Sequence, residues 1–248
     1  MVKGRNDGFK FEDEVFNIFH DKYPRELPNE YKSILSLSSL SVNDTEKFEC
    51  DNTEGKGLEK KRDLTIRQGG NDIIRASIKS GSGNSIHQES LSQFENFMES
   101  LGCSPDQVKE LRFFQYGDGS YDGSIGDEEF SKRMPSKVIC KKHSNVIKTI
   151  NSMFYRFRRD ILERVFIGHK NYPYPTVLIY KKSEKILGAK IDDLIKKNIL
   201  VNSLKSKTPS CGNLSYQNCN RCLGGQEKDG RKKRTEIQFK YPSLEKDI

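Results

Sequence analysis

No stretch of this chain approaches the roughly 18 consecutive apolar residues of a membrane-spanning helix, and the opening MVKGRNDG lacks the apolar core of a secretory signal. A cytosolic protein is expected. Cysteine is sparse and irregular, six residues in 248 without the spacing of a disulfide framework, so free thiols are expected. A disordered composition is also missing: 33% of residues are hydrophobic, enough for one large domain or two small ones sharing a core. Acids fall short of bases, 35 against 43, and the net charge of +8 with a pI near 9.0 favours a polyanionic partner.

What is present centres on KKRDLTIRQGGNDIIRASIKSGSGNSIHQE, residues 60–89. Two β-branched runs flank Gly69-Gly70-Asn71-Asp72, which reads as a hairpin. Alternation sends Leu64, Ile66, Ile74, Ala76 and Ile78 to one face and leaves Asp63, Ser77 and Lys79 on the other. A carboxylate and an amine on adjacent strands suit metal-assisted phosphodiester hydrolysis: the acid holds a divalent cation, and the lysine orients or activates the attacking water. A cross-strand ion pair on a solvated face is the competing reading. The segment after Lys79 is small, polar and flexible, poor material for a strand and suited to close approach of a phosphate backbone.

Elsewhere the spacing predicts an amphipathic helix over 8–22, with Phe11, Val15, Ile18 and Phe19 inward and Glu12 at the edge of that face. Residues 23–59 read as loop with a possible strand leading to Asp63. Helices are expected at 91–101, 105–114 and, as one long element, 145–168, the last decorated by Arg156, Arg158, Arg159 and Arg164. Strands are expected at 175–181 and 186–190, with a short helix at 192–197. The loop from Gly117 to Gly126 offers Asp118 and Asp122, with Asp127 next to it, to Ca²⁺ but lacks EF-hand spacing, so a surface loop is the expectation. Cys140 and His143 with Cys219 and Cys222, or Cys211 in place of one, would make a zinc site if they met in space. His20, His87 and His169 are candidate bases, His87 foremost because it sits beside Gln88.

Near the C-terminus Lys228, Arg231, Lys232, Lys233 and Arg234 lead into the alternating strand Thr235-Glu236-Ile237-Gln238-Phe239-Lys240. Such a loop and ribbon can hold phosphates and reach base edges in the major groove, so Arg231, Lys232, Lys233, Arg234, Gln238 and Lys240 are the candidate DNA-binding residues.

Asp63, thirteen residues, then Ser77-Ile78-Lys79 resembles the PD-(D/E)xK nuclease pattern, with Ser77 replacing the middle acid. Within it the chain is similar to the small Type II restriction endonucleases that cut CCGG and GCGC, which carry Asn or Gln at that place. The likeness extends to Gly8 with Glu12, to Ser85-Ile86 with Gln88, to Ile191-Asp192-Asp193 and to the closing Gln238-Phe239-Lys240.

The resemblance implies an α/β fold, a mixed β-sheet flanked by helices with a C-terminal β-rich DNA-recognition region. Divided simply, residues 1–115 would be the catalytic core and 116–248 the recognition region, unless the two form one intertwined domain. It further implies Mg²⁺ as cofactor, held by Asp63 and Glu12, with Ser77, Lys79 and Gln88 completing the catalytic set. Double-stranded DNA with a short, GC-rich site is the implied substrate, bound by a monomer or weak dimer. A cognate DNA methyltransferase would belong to the same restriction-modification system. The alternatives are a sequence-specific DNA-binding protein in which Ser77 marks a decayed site, and a repair or nicking nuclease on the same core.

Overall fold

The computed structural model describes residues 7–52, 61–81, 85–168, 173–218 and 234–248. In chain order they begin with α1 (Asp7–Phe19), a 3-10 turn (Pro24–Glu26), α2 (Asn29–Leu35), β1 (Glu49–Asn52), β2 (Leu64–Gln68) and β3 (Asn71–Ser80). Next come β4 (Ser85–Ser90), α3 (Leu91–Ser100), α4 (Pro105–Tyr116), α5 (Ser124–Glu128), α6 (Ser136–Lys142), α7 (Ser144–Arg156) and α8 (Arg158–Phe166). The chain then forms β5 (Val177–Lys182), β6 (Lys185–Lys190) and α9 (Ile191–Ile199). It closes with β7 (Ser210–Cys211), β8 (Leu214–Gln217), β9 (Glu236–Lys240) and α10 (Leu244–Asp247).

Two compact units result: Met1–Asn84, Phe166–Lys197 and Ser243–Ile248 in one, Ser85–Val165 and Asn198–Pro242 in the other. The division of the chain between these units is interleaved. Its cause is topological, because β3 and β5 pair in parallel, parallel neighbours need a crossover, and the crossover here carries much of the second unit.

Among the described residues the first unit holds a five-stranded mixed sheet, β1-β2-β3-β5-β6, antiparallel except at β3–β5. Gly69 and Gly70, at φ +56° and +78°, make a two-residue β2–β3 turn of the kind that matches strand twist. Phe11, Val15 and Phe19 of α1, with Tyr31 and Ile34 of α2, bury against Leu64, Ile66, Ile74, Ala76, Ile78 and Ile179. Each fully buried side chain of this size contributes about 1.5–3 kcal/mol. This face carries the α1–α2 core; the opposite face carries Ser77 and Lys79 together with the buried Leu178 and Tyr180.

In the second unit β4-β9-β8-β7 form an antiparallel sheet. Phe94 stands 5.7 Å from Phe239 and 6.0 Å from Phe154, and Tyr216 5.4 Å from Phe239, so aromatic rings fill its inner face. The helices above start at capping boxes, Ser90 with Gln93 and Ser104 with Gln107.

Three local expectations change. The 23–59 stretch holds α2 as well as β1. Ser85–Ser90, expected as flexible loop, is a strand because β9 offers it a ladder. The long helix breaks at Phe157 into α7 and α8, where Arg158 turns back to donate to the Tyr155 and Ile199 carbonyls at 2.7 and 3.1 Å.

Candidate active site

The ladder pairing Leu64 with Ala76 and Thr65 with Arg75 leads to Asp63, whose amide donates to the Ala76 carbonyl at 2.8 Å. Leu64, Ala76 and Ile78 turn into the core, which leaves Asp63, Ser77 and Lys79 together on the other face. β3 continues past the start of β2, and there the Asp63 carboxylate accepts the Ile78 amide at 2.6 Å. The same oxygen, Oδ2, accepts from Lys79 Nζ at 3.0 Å and from Ser77 Oγ at 3.3 Å. Three donors thus converge on one oxygen, and among the described residues none donates to Oδ1.

Lys79 Nζ also donates to the Ile78 carbonyl at 2.8 Å. Its ammonium is therefore held between a carboxylate and a carbonyl oxygen, two hard donors gathered around a positive charge. That donor chemistry fits a divalent cation. The side chains remain 22% exposed for Asp63 and 25% for Lys79, open enough to meet a substrate. Among the described residues no three Asp, Glu, His or Cys side chains gather into a metal cluster; Mg²⁺ keeps several waters and takes only one or two carboxylates.

Three contributors were invisible at the level of motif. The Ile78 peptide supplies a donor and an acceptor that side-chain patterns do not report. Tyr180, in register with Lys79 on β5, donates to the Gly81 carbonyl at 3.1 Å and ties down the chain just after the lysine. Burial pushes its phenol up, which keeps it a donor. On the core side Glu14 of α1 accepts from Lys181 at 2.6 and 2.9 Å, and its spacing of three from Phe11 was the available signal. Glu12 lies on α1, half-buried.

Gln88 belongs to the second unit, where it pairs in register with Gln238, and Gln238 with Gln217. Ile237 and Phe239 point into the core, so Gln88, Gln238, Gln217 and Lys240 share the outer face of that sheet. Gln238 Nε2 donates to Ser85 Oγ at 2.8 Å and Gln217 Nε2 to Ser215 Oγ at 2.9 Å.

Arg231, Lys232 and Lys233 lie outside the described residues. Arg234 is reassigned: it is 2% exposed and its guanidinium pairs with Asp118 at 3.0 Å and with Asp127. The loop expected at the surface wraps this arginine, which takes the part a bound cation would have played. Gly123 and Gly126 fit because a Cβ there would meet Arg234 Nη2 at 3.2 and 2.9 Å. Burial alone would lift the Asp118 carboxyl, but Ser120, the Gly126 amide and Arg234 together hold it below its ordinary value.

Of the histidines, His20 accepts the Cys50 amide at 3.1 Å, and His87 is buried against Glu89 at 2.7 Å; His169 lies outside the described residues. Cys211 is fully buried, its thiol pushed up by that burial and directed at main-chain carbonyls. Cys219 and Cys222 lie outside the described residues.

No family model matches the chain, and no curated protein matches it. Its fold is similar to the crystal structure of the restriction endonuclease MspI in complex with its cognate DNA. The TM-score is 0.60 over 94% of this chain and 88% of that one, at 16% identity. The architecture is therefore restriction-endonuclease-like.

Proposed function

We propose, on the premise of a restriction-endonuclease-like fold, that the protein hydrolyses phosphodiester bonds of double-stranded DNA as a Type II restriction endonuclease. The observation that carries the reading is the convergence of Ser77, Lys79 and the Ile78 amide on Asp63 Oδ2. Similarity to a nuclease captured on its cognate DNA supports the substrate class.

Asp63 and the Ile78 carbonyl would hold Mg²⁺, with Glu12 as a second carboxylate. When bound, the ion polarises the scissile phosphate and makes its water a better nucleophile. Asp63 provides ionic ligation and fixes β3 through the Ile78 amide. Lys79, released from Asp63, offers Nζ to the attacking water or to the phosphate oxygen on which charge develops. Ser77 steadies the carboxylate without adding charge. The resemblance adds Gln88 to the catalytic set, and Gln238, Lys240 and the 231–233 segment read and hold a short, GC-rich site. A monomer or weak dimer acts, in the cytosol, with a methyltransferase protecting host sites.

The neutral Ser77 favours one second reading, a DNA-binding protein that does not cut. Digestion of unmethylated plasmid with Mg²⁺, followed by run-off sequencing of the ends, separates the two. Discrete ends at one short sequence are expected, and Asp63→Ala or Lys79→Ala should abolish them while binding persists. Specific binding with no cleavage at any Mg²⁺ concentration would leave only the second reading.

A further inference from the structure

In the second unit a cleft of about 740 Å³ is lined by α6, the start of α7 and the 204–208 loop. Cys140, Ile147 and Leu204 make its apolar part, and Lys137, Lys141, Lys148, Lys205 and Lys207 line it as well. All five lysines are exposed, and among the described residues none has an ion-pair or hydrogen-bond partner. Several lysines elsewhere are answered by acids: Lys47 by Asp21, Lys181 by Glu14, Lys182 by Glu245 and Lys197 by Asp247. Here the sequence offers no answer, since no Asp or Glu occurs from Ser131 to Arg159 or from Leu194 to Gln226. Like charges gathered in one cleft repel and call for an anion.

The form of the anion follows from the donors. Ammonium groups are compact, hydrated point charges that suit phosphate oxygens, whereas planar recognition of a single carboxylate favours arginine. Five of them on two helices and a loop are too many for one phosphate and match a string of them. We infer that this cleft takes the sugar-phosphate backbone of a nucleic acid, its lysines on successive phosphates and its apolar lining against the sugars. That the nucleic acid is the DNA cut at Asp63 and Lys79 rests on the function proposed above. The cleft contains none of the residues assigned to cleavage or base reading, so its contribution is independent of sequence.

The test is equilibrium binding of the full chain to cognate and unrelated duplexes, with Ca²⁺ replacing Mg²⁺, between about 50 and 200 mM salt. The variant K141Q/K148Q/K205Q should shallow the slope of log affinity against log salt by about 2.7, equally on both DNAs. A second readout places the contact: bound duplex should slow alkylation of Cys140, followed at that residue by mass spectrometry. An unchanged slope, or Cys140 alkylated equally fast with DNA bound, overturns the inference. A protein that cuts DNA with a slope indifferent to these lysines keeps its nuclease function and loses the cleft. One that binds through them and never cuts keeps the cleft and loses the nuclease.

Discussion

At the scale of single residues the site depends on unequal bonds to one oxygen. Ser77 Oγ, at 3.3 Å from Asp63 Oδ2, is the longest of the three, while the Ile78 amide at 2.6 Å is the shortest. Ser77→Ala is therefore expected to slow single-turnover cleavage less than Asp63→Ala, which removes the charge and frees the Ile78 amide as well. Equal and complete loss in two folded variants would assign Ser77 a larger share. A second residue-level prediction concerns Glu89, buried beside His87 and doubly bonded by Arg164 at 2.6 and 2.9 Å. Burial would raise its pKa, but the hydrogen bonds from His87 and Arg164 prevail and hold it below 4.5. A carboxyl depressed on folding stabilises the protein above its unfolded pKa and loses that contribution as pH falls through the folded value. The Glu89 share of stability should thus be whole at neutral pH and drain away below about 4.5. Glu89→Gln, which leaves Arg164 unanswered, should cost about 3–5 kcal/mol at pH 7 and flatten the acid limb of stability against pH in urea titrations. Asp63, Ser77 and Lys79 were legible because a two-residue period and one hairpin turn fix their common face. Arg234 was not: in the sequence it is one more member of a basic run, and only the folded 117–127 loop distinguishes it from its neighbours.

Among elements, long periodic helices and the β2–β3 hairpin could be read from their patterns, while short pieces needed partners to exist. β4 is the clearest case, since Ser85–Ser90 has no strong strand propensity and becomes a strand against β9. The break between α7 and α8 was hidden for the opposite reason: the apolar period continues across Phe157, and a carbonyl distant in sequence, that of Ile199, helps seat the arginine that follows. The β7–β8 hairpin shows how closely such a piece is fitted. Gly212 sits at φ +61°, and a Cβ there would fall 2.7 Å from the Asn198 carbonyl oxygen. Asn198 cannot withdraw freely, as its side chain accepts the Asn213 amide at 2.8 Å and donates to Tyr241. Gly212→Ala is expected to destabilise by about 1–3 kcal/mol, read as a lower urea midpoint with unchanged m.

For the whole molecule the excess of positive charge resolves into places with different tasks. Some lysines are neutralised within the fold, the 137–148 and 204–208 lysines have no acidic partner among the described residues, and Lys240 stands in the glutamine-bearing face of the second sheet. The net charge of +8 favours a polyanion, but a sum over the sequence cannot say which charges are answered. If Gln238 and Lys240 read bases, Gln238→Ala and Lys240→Ala should each lose about 1–3 kcal/mol on the cognate site alone, with little change on unrelated DNA. Equal losses on both DNAs in a salt series would make that face an electrostatic contact and send base recognition elsewhere.

The parallel pairing of β3 with β5 also sets a schedule. The Arg75 amide donates to Thr176 Oγ1, which lies 101 positions further along the chain. At synthesis rates of about 5–20 residues per second, β3 waits about 5–20 s for its neighbour. Through that interval the hairpin bearing Asp63 and Lys79 has an unpaired edge, the kind of surface on which nascent chains associate. Arg75 and Lys79, charged and set along that strand, are then guardians of the newborn chain. A ribosome-bound chain halted before Val177 should accordingly aggregate more readily when both are replaced by threonine, as measured by sedimentation of stalled complexes.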